Sequence, residues 1–368
     1  MRGICLSEYQ PAGGGAFGDG IMGKGRVNVT VIMPGRNEEA RIDSTMESLL
    51  QQSRLPDEII VADGCSSDGT VERVRRYVGG NVNIKIVRND TFFAGGGRNA
   101  ATDAASNELI VNMDFGNLVE PDWLASMVRP FEQDPELDLL GGLFYPRMET
   151  SFQRVVAAIS YTVDCMLPTM SREDIVALVP KNFVPGGMCI AYRRSIWRKA
   201  GGFCAWAVKG QDRLFGYRVR KIGGKVGYTT DARVLHHMPD SFSNLIKRQF
   251  YYDLWTARLS LPGHSLNRLA TAYVGGIALL LASIWFPWML LVVLVALAAF
   301  AYRRAWRKLR MVSANSDIRF RLRDYLLSVP VFLVFDASQV FGRLIGTFDR
   351  MIRPSWGRKL KQYLETGS

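Results

Sequence analysis

Cysteine is sparse in this 368-residue chain: Cys5, Cys65, Cys165, Cys189 and Cys204 are odd in number and scattered. They make neither a zinc spacing nor a disulfide framework, and so point to a reducing compartment. No secretory leader is expected either, because the Gly-rich residues 1–25 have no basic start followed by an apolar run. They are expected to be a flexible extension, with the domain behind them not exported. The net charge of +12 would suit nucleic acid, yet the N-terminal half has no basic stripe interleaved with aromatics. No nucleic-acid partner is therefore expected. Much of the excess charge falls beyond residue 300, beside apolar segments, where it suits anionic lipid headgroups. A G-x-G-x-x-G turn is missing as well, since Gly35 stands alone after the first apolar run. That speaks against a dinucleotide-binding turn.

What is present is most informative from Val29 to Thr70. Val27, Val29 and Val31 alternate with Asn28 and Thr30 before the chain becomes continuously apolar, as a largely buried strand does. Ile42, Met46, Leu49 and Leu50 follow at helical spacing. A second apolar run, 59–62, ends at Asp63. Two strands joined through a helix should be parallel, with ligands beyond their carboxyl ends. Arg36, Glu38 and Asp63 would meet there.

With its turn residues Pro34, Arg36, Asn37 and Glu38, its Asp63 and its Ser66-Ser67-Asp68-Gly69-Thr70, the chain resembles the family 2 glycosyltransferases. The match runs through most of residues 27–260. The resemblance implies an α/β domain of GT-A fold, Rossmann-like, with a mostly parallel sheet and flanking helices. It implies a nucleotide-sugar donor, with UDP favoured, held by Pro34, Arg36, Asn37, Glu38 and Asp63. The segment Gly97-Arg98-Asn99 borders that ligand in the family, and Arg98 stands where a cation could meet a diphosphate. Three glycines, 95–97, precede a small-residue helix expected from Ala100 to Ala105 and let backbone approach a ligand.

An apolar strand then ends at Asp114, where relatives carry Asp-x-Asp and this chain has Asp114-Phe115-Gly116 followed by Asn117. The letters Asp-Phe-Gly invite a kinase reading, but the glycine-loop, lysine and catalytic-loop signatures are absent. The resemblance implies Mg²⁺ or Mn²⁺ on the diphosphate, and the loss of one carboxylate weakens such a site. Asp114 is the expected ligand, with Asn117, His236 or His237 as candidates for the vacant place. Adjacent histidines at a strand end point opposite ways, so at most one of the pair should reach the site.

Family members carry Glu-Asp where this chain has Gln211-Asp212. The resemblance makes Asp212 the general base of an inverting displacement and puts Gln211 on the acceptor side. Arg248 and Gln249 begin an aromatic stretch leading toward the apolar C-terminal part and are acceptor-side candidates too. Only Gln249 fits the Gln-x-x-Arg-Trp of processive synthases, so polymer synthesis has little support.

From Leu269 to Tyr302 no residue is charged, and a second apolar stretch covers 325–346, interrupted by Asp336 and Arg343. The first exceeds the roughly 20 residues needed to cross a bilayer and holds Pro287, which suits a hairpin. The second suits an interfacial or re-entrant segment. Asp336 and Arg343 would be costly facing lipid and should face protein or headgroups. Positive charge on both flanks places the basic segments in the cytoplasm. The expected organisation is an extension at 1–25, a GT-A domain at 26–265, membrane-associated helices at 266–348 and a basic tail at 349–368. The expected protein sits at the inner cell membrane with its catalytic domain cytoplasmic. It would pass sugar to a lipid-linked or saccharide acceptor for envelope or exopolysaccharide synthesis, with membrane lipids as further partners. A polyprenyl-phosphate sugar transferase and a non-catalytic nucleotide-sugar-binding protein are the alternatives.

Overall fold

The structure, a computed structural model, describes residues 26–179, 183–261, 284–286 and 288–367. Alternation within β1 (Val29–Gly35) decides how the sheet is covered. Val29, Val31 and Met33 join one apolar cluster, while Ile32 joins another on the opposite face. A strand buried on both faces needs helices on both. The first face takes α1 (Ile42–Leu50) through Ile42, Met46 and Leu49, and α4 (Trp123–Gln133) through Trp123, Met127 and Phe131. The second takes α3 (Ala94–Ala104), α7 (Arg194–Ala200) and α8 (Gln211–Lys221). Each fully buried Ile, Leu, Met or Val stabilises this sandwich by about 1.5–3 kcal/mol.

Among the described residues the sheet has eight strands. Besides β1 they are β2 (Glu58–Asp63), β3 (Asn83–Arg88), β4 (Leu109–Asn112), β5 (Leu118–Val119), β6 (Leu137–Arg147), β7 (Ile190–Arg193) and β8 (Lys225–His237). Their order is β3-β2-β1-β4-β7-β6-β8-β5. The first four are mutually parallel, as the βαβ reading requires. Beyond β4 the sheet is mixed: β7 runs antiparallel between β4 and β6, and β5 is antiparallel to β8. Register sets Gly35 beside Asp63, so the first two turns emerge together. A short helix, α2 (Thr70–Arg75), returns the chain from β2 to β3.

Glycines 95–97 are not a loop before a helix. They lie inside α3, packed so closely that a Cβ on Gly95 would come 2.6 Å from the Cys204 carbonyl oxygen and one on Gly97 2.9 Å from Pro34. Helix α5 (Ser151–Ser160) follows β6 and opens with a Thr150/Gln153 capping box, and α6 (Arg172–Leu178) follows it.

The C-terminal part is helical: α9 (Phe242–Arg258), α10 (Trp288–Ala314), α11 (Leu322–Ile352) and α12 (Ser355–Thr366). Most of the first half of the expected 269–302 hairpin lies outside the described residues. Its described remainder, from Trp288, continues without a break into the basic stretch around Arg307. The 325–346 segment is part of one continuous helix and not a re-entrant turn. That helix is long and apolar enough to cross a membrane, and 44% of its most apolar stretch is buried. A second core joins α5, α10 and α11 through Val156, Ile159, Leu309, Val331 and Phe335. Arg343 pairs with Asp253 of α9 at 2.6 Å, and Asp336 is buried, so both interrupting charges face protein. The tail helix α12 folds back onto the sheet domain, where the Tyr363 hydroxyl donates to the Gly202 carbonyl at 2.7 Å.

Candidate active site

Two adjoining clefts open at the carboxyl ends of β1, β2 and β4. The first, of about 240 Å³, is lined by Pro34, Arg36, Glu38, Phe92, Phe93 and Asp114, among others. The Arg36 guanidinium lies 5.0 Å from the Phe92 ring centre, giving a cationic and aromatic rim. Glu38 pairs with Arg41 at 2.8 Å, and burial pushes its carboxyl above the usual range. Asn37 and Asp63 act on the turns. Asn37 has φ of 56°, and its side-chain oxygen accepts from the Ser67 amide at 2.9 Å. The Asp63 carboxylate accepts from the Ser66 amide at 3.2 Å. Together they tie the β1 and β2 turns into one rim.

The second cleft, of about 350 Å³, gathers Arg98, Asp114, Asn117, Gln211, Asp212 and Arg248, with both His236 and His237 on its wall. Only the His236 ring bonds groups on that wall, Asn117 and Arg248, whereas the His237 ring meets Gln153 Nε2 at 3.5 Å. Asp114 follows β4 and accepts from Arg98 Nη2 at 2.8 Å and from Asn112 Nδ2 at 3.1 Å. Arg98 is 2% exposed, lies 5.6 Å from the Phe203 ring centre, and leaves Nε and Nη1 without partners among the described residues. Its placement requires Gly187, whose Cβ would stand 2.5 Å from Arg98 Nη2.

Asp212 sits in the first turn of α8, where the helix dipole favours a carboxylate. One oxygen accepts from the Gly187 amide at 2.6 Å and the other from the Arg213 amide at 2.8 Å. Each oxygen keeps a lone pair for a substrate proton. Gln211 is buried, and its Oε1 has no partner among the described residues. Gln249 does not reach the cleft; it bonds Asp253 on its own helix.

His236 Nδ1 meets Asn117 Oδ1 at 2.8 Å, and its Nε2 meets Arg248 Nη2 at 2.9 Å. Since Arg248 only donates, Nε2 accepts and Nδ1 carries the hydrogen. Burial, then the Arg248 charge, pulls this ring down to about 3. Burial also lowers His237. Arg248 further donates to the Tyr161 hydroxyl at 2.5 Å.

A hard divalent cation needs several free oxygen ligands. Here Asp114 Oδ1 is shared between Arg98 and Asn112, which leaves Oδ2 as the free oxygen of that carboxylate, and Asn117 Oδ1 and both nitrogens of His236 are engaged with protein partners. Among the described residues no group of three His, Cys, Asp or Glu gathers. With Asp114 Oδ2 as the one free oxygen among these groups, they fit a divalent-cation site poorly unless a ligand supplies the remaining oxygens.

Among the cleft residues that escaped the sequence reading, two are cations: Lys209 and Arg41. The one signal for Lys209 was its position just before Gly210, whose φ of 80° starts α8. Arg41 carried no signal, since its role depends on contact with Gly116.

Residues 30–201 match the model of glycosyl transferase family 2. An O-antigen chain rhamnosyltransferase, RfbN, of Salmonella typhimurium is 26% identical over 57% of this chain and 66% of its own length. A second Salmonella relative, WbaN of Salmonella anatum, aligns over 65% of its length, so the chain spans just under two thirds of these relatives. The glycosyltransferase AglE of Haloferax volcanii is 24% identical over 60% of this chain and 70% of its own. A solved mannosyltransferase of Pyrobaculum calidifontis, in complex with GDP-Man and Mn²⁺, superposes with a TM-score of 0.52 at 19% identity, covering 88% of both chains. That likeness establishes the GT-A fold.

Proposed function

We propose that the chain is a member of glycosyl transferase family 2, whose model matches residues 30–201, and that it is an inverting transferase moving a sugar from a nucleotide-sugar to a lipid-linked or polysaccharide acceptor at the cytoplasmic membrane face. Glycosyl transfer in polysaccharide synthesis agrees with the O-antigen relatives. One observation carries the finer reading. Asp212 shares one cleft with Asp114, and that cleft adjoins the Arg36–Phe92 rim.

In this reading the nucleoside of a UDP-sugar lies in the first cleft against Pro34, Arg36, Glu38 and the Phe92 ring. Asn37 and Asp63 hold the rim, and Arg98 fixes Asp114. The acceptor enters beside Gln211 and Arg248. Its hydroxyl gives its proton to Asp212 while its oxygen attacks the anomeric carbon, and the bond to the diphosphate breaks on the opposite side. The fixed, doubly bonded Asp212 suits a base held in line with the leaving group.

A donor screen tests this. Purified full-length protein in detergent is given UDP- and GDP-sugars with membrane lipid extract, and nucleoside diphosphate release is followed. One donor should turn over, and Asp212→Asn should lose about 10²- to 10⁴-fold in kcat while still binding it. Binding without turnover in the wild type would transfer support to a non-catalytic binding protein.

A further inference from the structure

The second cleft is poor in carboxylates and rich in cations: Arg41, Arg98, Lys209 and Arg248 face Asp114 and Asp212. Arg98 is committed to Asp114, Arg248 to Tyr161 and His236, and Arg41 through Nη1 to Glu38. Arg41 packs against Gly116, where relatives of the family carry their second aspartate. A Cβ on Gly116 would stand 2.6 Å from Arg41 Cδ, and its φ of 81° is one that side-chain-bearing residues rarely adopt. The loop is therefore built around a missing side chain, with a guanidinium stem in the space a carboxylate would use.

Lys209 completes the set. Among the described residues its ammonium has no hydrogen-bond or ion-pair partner; it lies 5.9 Å from the Tyr252 ring centre. Burial pulls its pKa down, opposed by the charge of Asp114. A half-buried ammonium without an anion is costly, so an arriving anion gains both the Coulomb term and the hydrogen bonds.

We propose that Lys209, with Arg41, binds the diphosphate of the donor and stabilises the departing nucleoside diphosphate in place of a divalent cation. This rests on the reading of the protein as a nucleotide-sugar transferase. In the transfer, the acceptor oxygen bonds to the anomeric carbon and its proton passes to Asp212. The bond from the anomeric carbon to the diphosphate oxygen breaks, and its electron pair stays on that oxygen. The Lys209 ammonium hydrogen-bonds this oxygen as its charge grows and keeps its own proton.

Calorimetric titration of the full chain with UDP, GDP and dTDP, in EDTA and in Mn²⁺, tests the proposal. One diphosphate should bind with Kd agreeing within about twofold between the two conditions. Lys209→Met should weaken that binding on the order of tenfold, and Lys209→Arg should recover most of it. The EDTA arm on wild type needs no variant to fold. Binding seen only with Mn²⁺, or unchanged in Lys209→Met, overturns the proposal alone. Binding in neither condition overturns the transferase reading and the proposal with it.

Discussion

Gly187 joins the cleft's charged groups. Its amide holds Asp212, its carbonyl accepts from Asn112, and its missing Cβ makes room for Arg98. Gly187→Ala should push Arg98 aside and tilt the Asp212 carboxylate. We expect kcat to fall at least about tenfold, with a stability cost of about 1–3 kcal/mol; kinetics beside thermal unfolding checks this, and wild-type turnover would contradict it. His236 makes a prediction about acid. Its ring titrates near 3 when folded against an ordinary value of 6.5. Between those values the unfolded chain binds a proton that the folded chain does not, so stability falls as pH falls through that window. The slope is at most ~1.4 kcal/mol per pH unit. Unfolding of wild type and His236→Gln from pH 7.5 to 4.5 should give a flatter profile for the variant; parallel profiles would refute it. Asp114, Asp212 and Arg98 were singled out because each falls on a motif of the resemblance; Asp114 follows a strand and Asp212 opens a helix, whereas Arg98 lies inside α3. Lys209 and Arg41 were not, because a lone cation ahead of a helix acquires meaning only from what the fold sets against it.

At the scale of elements, β1, α1 and β2 were legible because their periods are unambiguous and their ends are punctuated by Pro34-Gly35 and Asp63-Gly64. Helix α3 was misread at its start because three glycines signal a loop in isolation; here their lack of side chains lets the helix press against Pro34 and Cys204. The antiparallel insertion of β7 between β4 and β6 left no local trace, since partner choice is a tertiary matter. The same close-approach device joins α9 to α11. A Cβ on Gly342 would lie 2.5 Å from the Phe250 carbonyl oxygen, and one on Gly346 2.3 Å from that of Leu254. These glycines, four residues apart, let two backbones touch. Gly346→Leu should therefore part the helices and break the neighbouring Arg343–Asp253 pair, lowering stability by several kcal/mol, on the order of an overpacked site plus a broken buried pair. Thermal unfolding in detergent measures it, with Gly346→Ser as the milder control.

At the scale of the molecule, charge and apolar surface converge on the C-terminal helices. Phe341, Leu344, Ile345, Phe348 and Ile352 of α11 are exposed at spacings of three and four, forming one stripe. Leu291, Val292, Leu294 and Val295 expose the early turns of α10. The opposite side of α11 is buried against protein through Val331, Phe335, Val340 and Gly342. A helix half in a protein core with an apolar outer stripe suits a membrane boundary better than open water. The basic residues Arg303, Arg304 and Arg307, with Arg350 and Arg353, flank these stripes where headgroup phosphates would lie. The apolar stripe and the basic flanks make different predictions for salt. Screening weakens the charge attraction within about 10 Å at 0.1 M and leaves apolar burial intact. Full-length protein mixed with phosphatidylcholine–phosphatidylglycerol vesicles should float with them, and most should stay bound in 0.5 M salt. Phe341→Ser with Phe348→Ser should make binding salt-sensitive, because the charges then carry the attachment alone. Release of the wild type by salt as a monodisperse, detergent-free protein would place these helices in water and leave the stripe to pack on another protein surface.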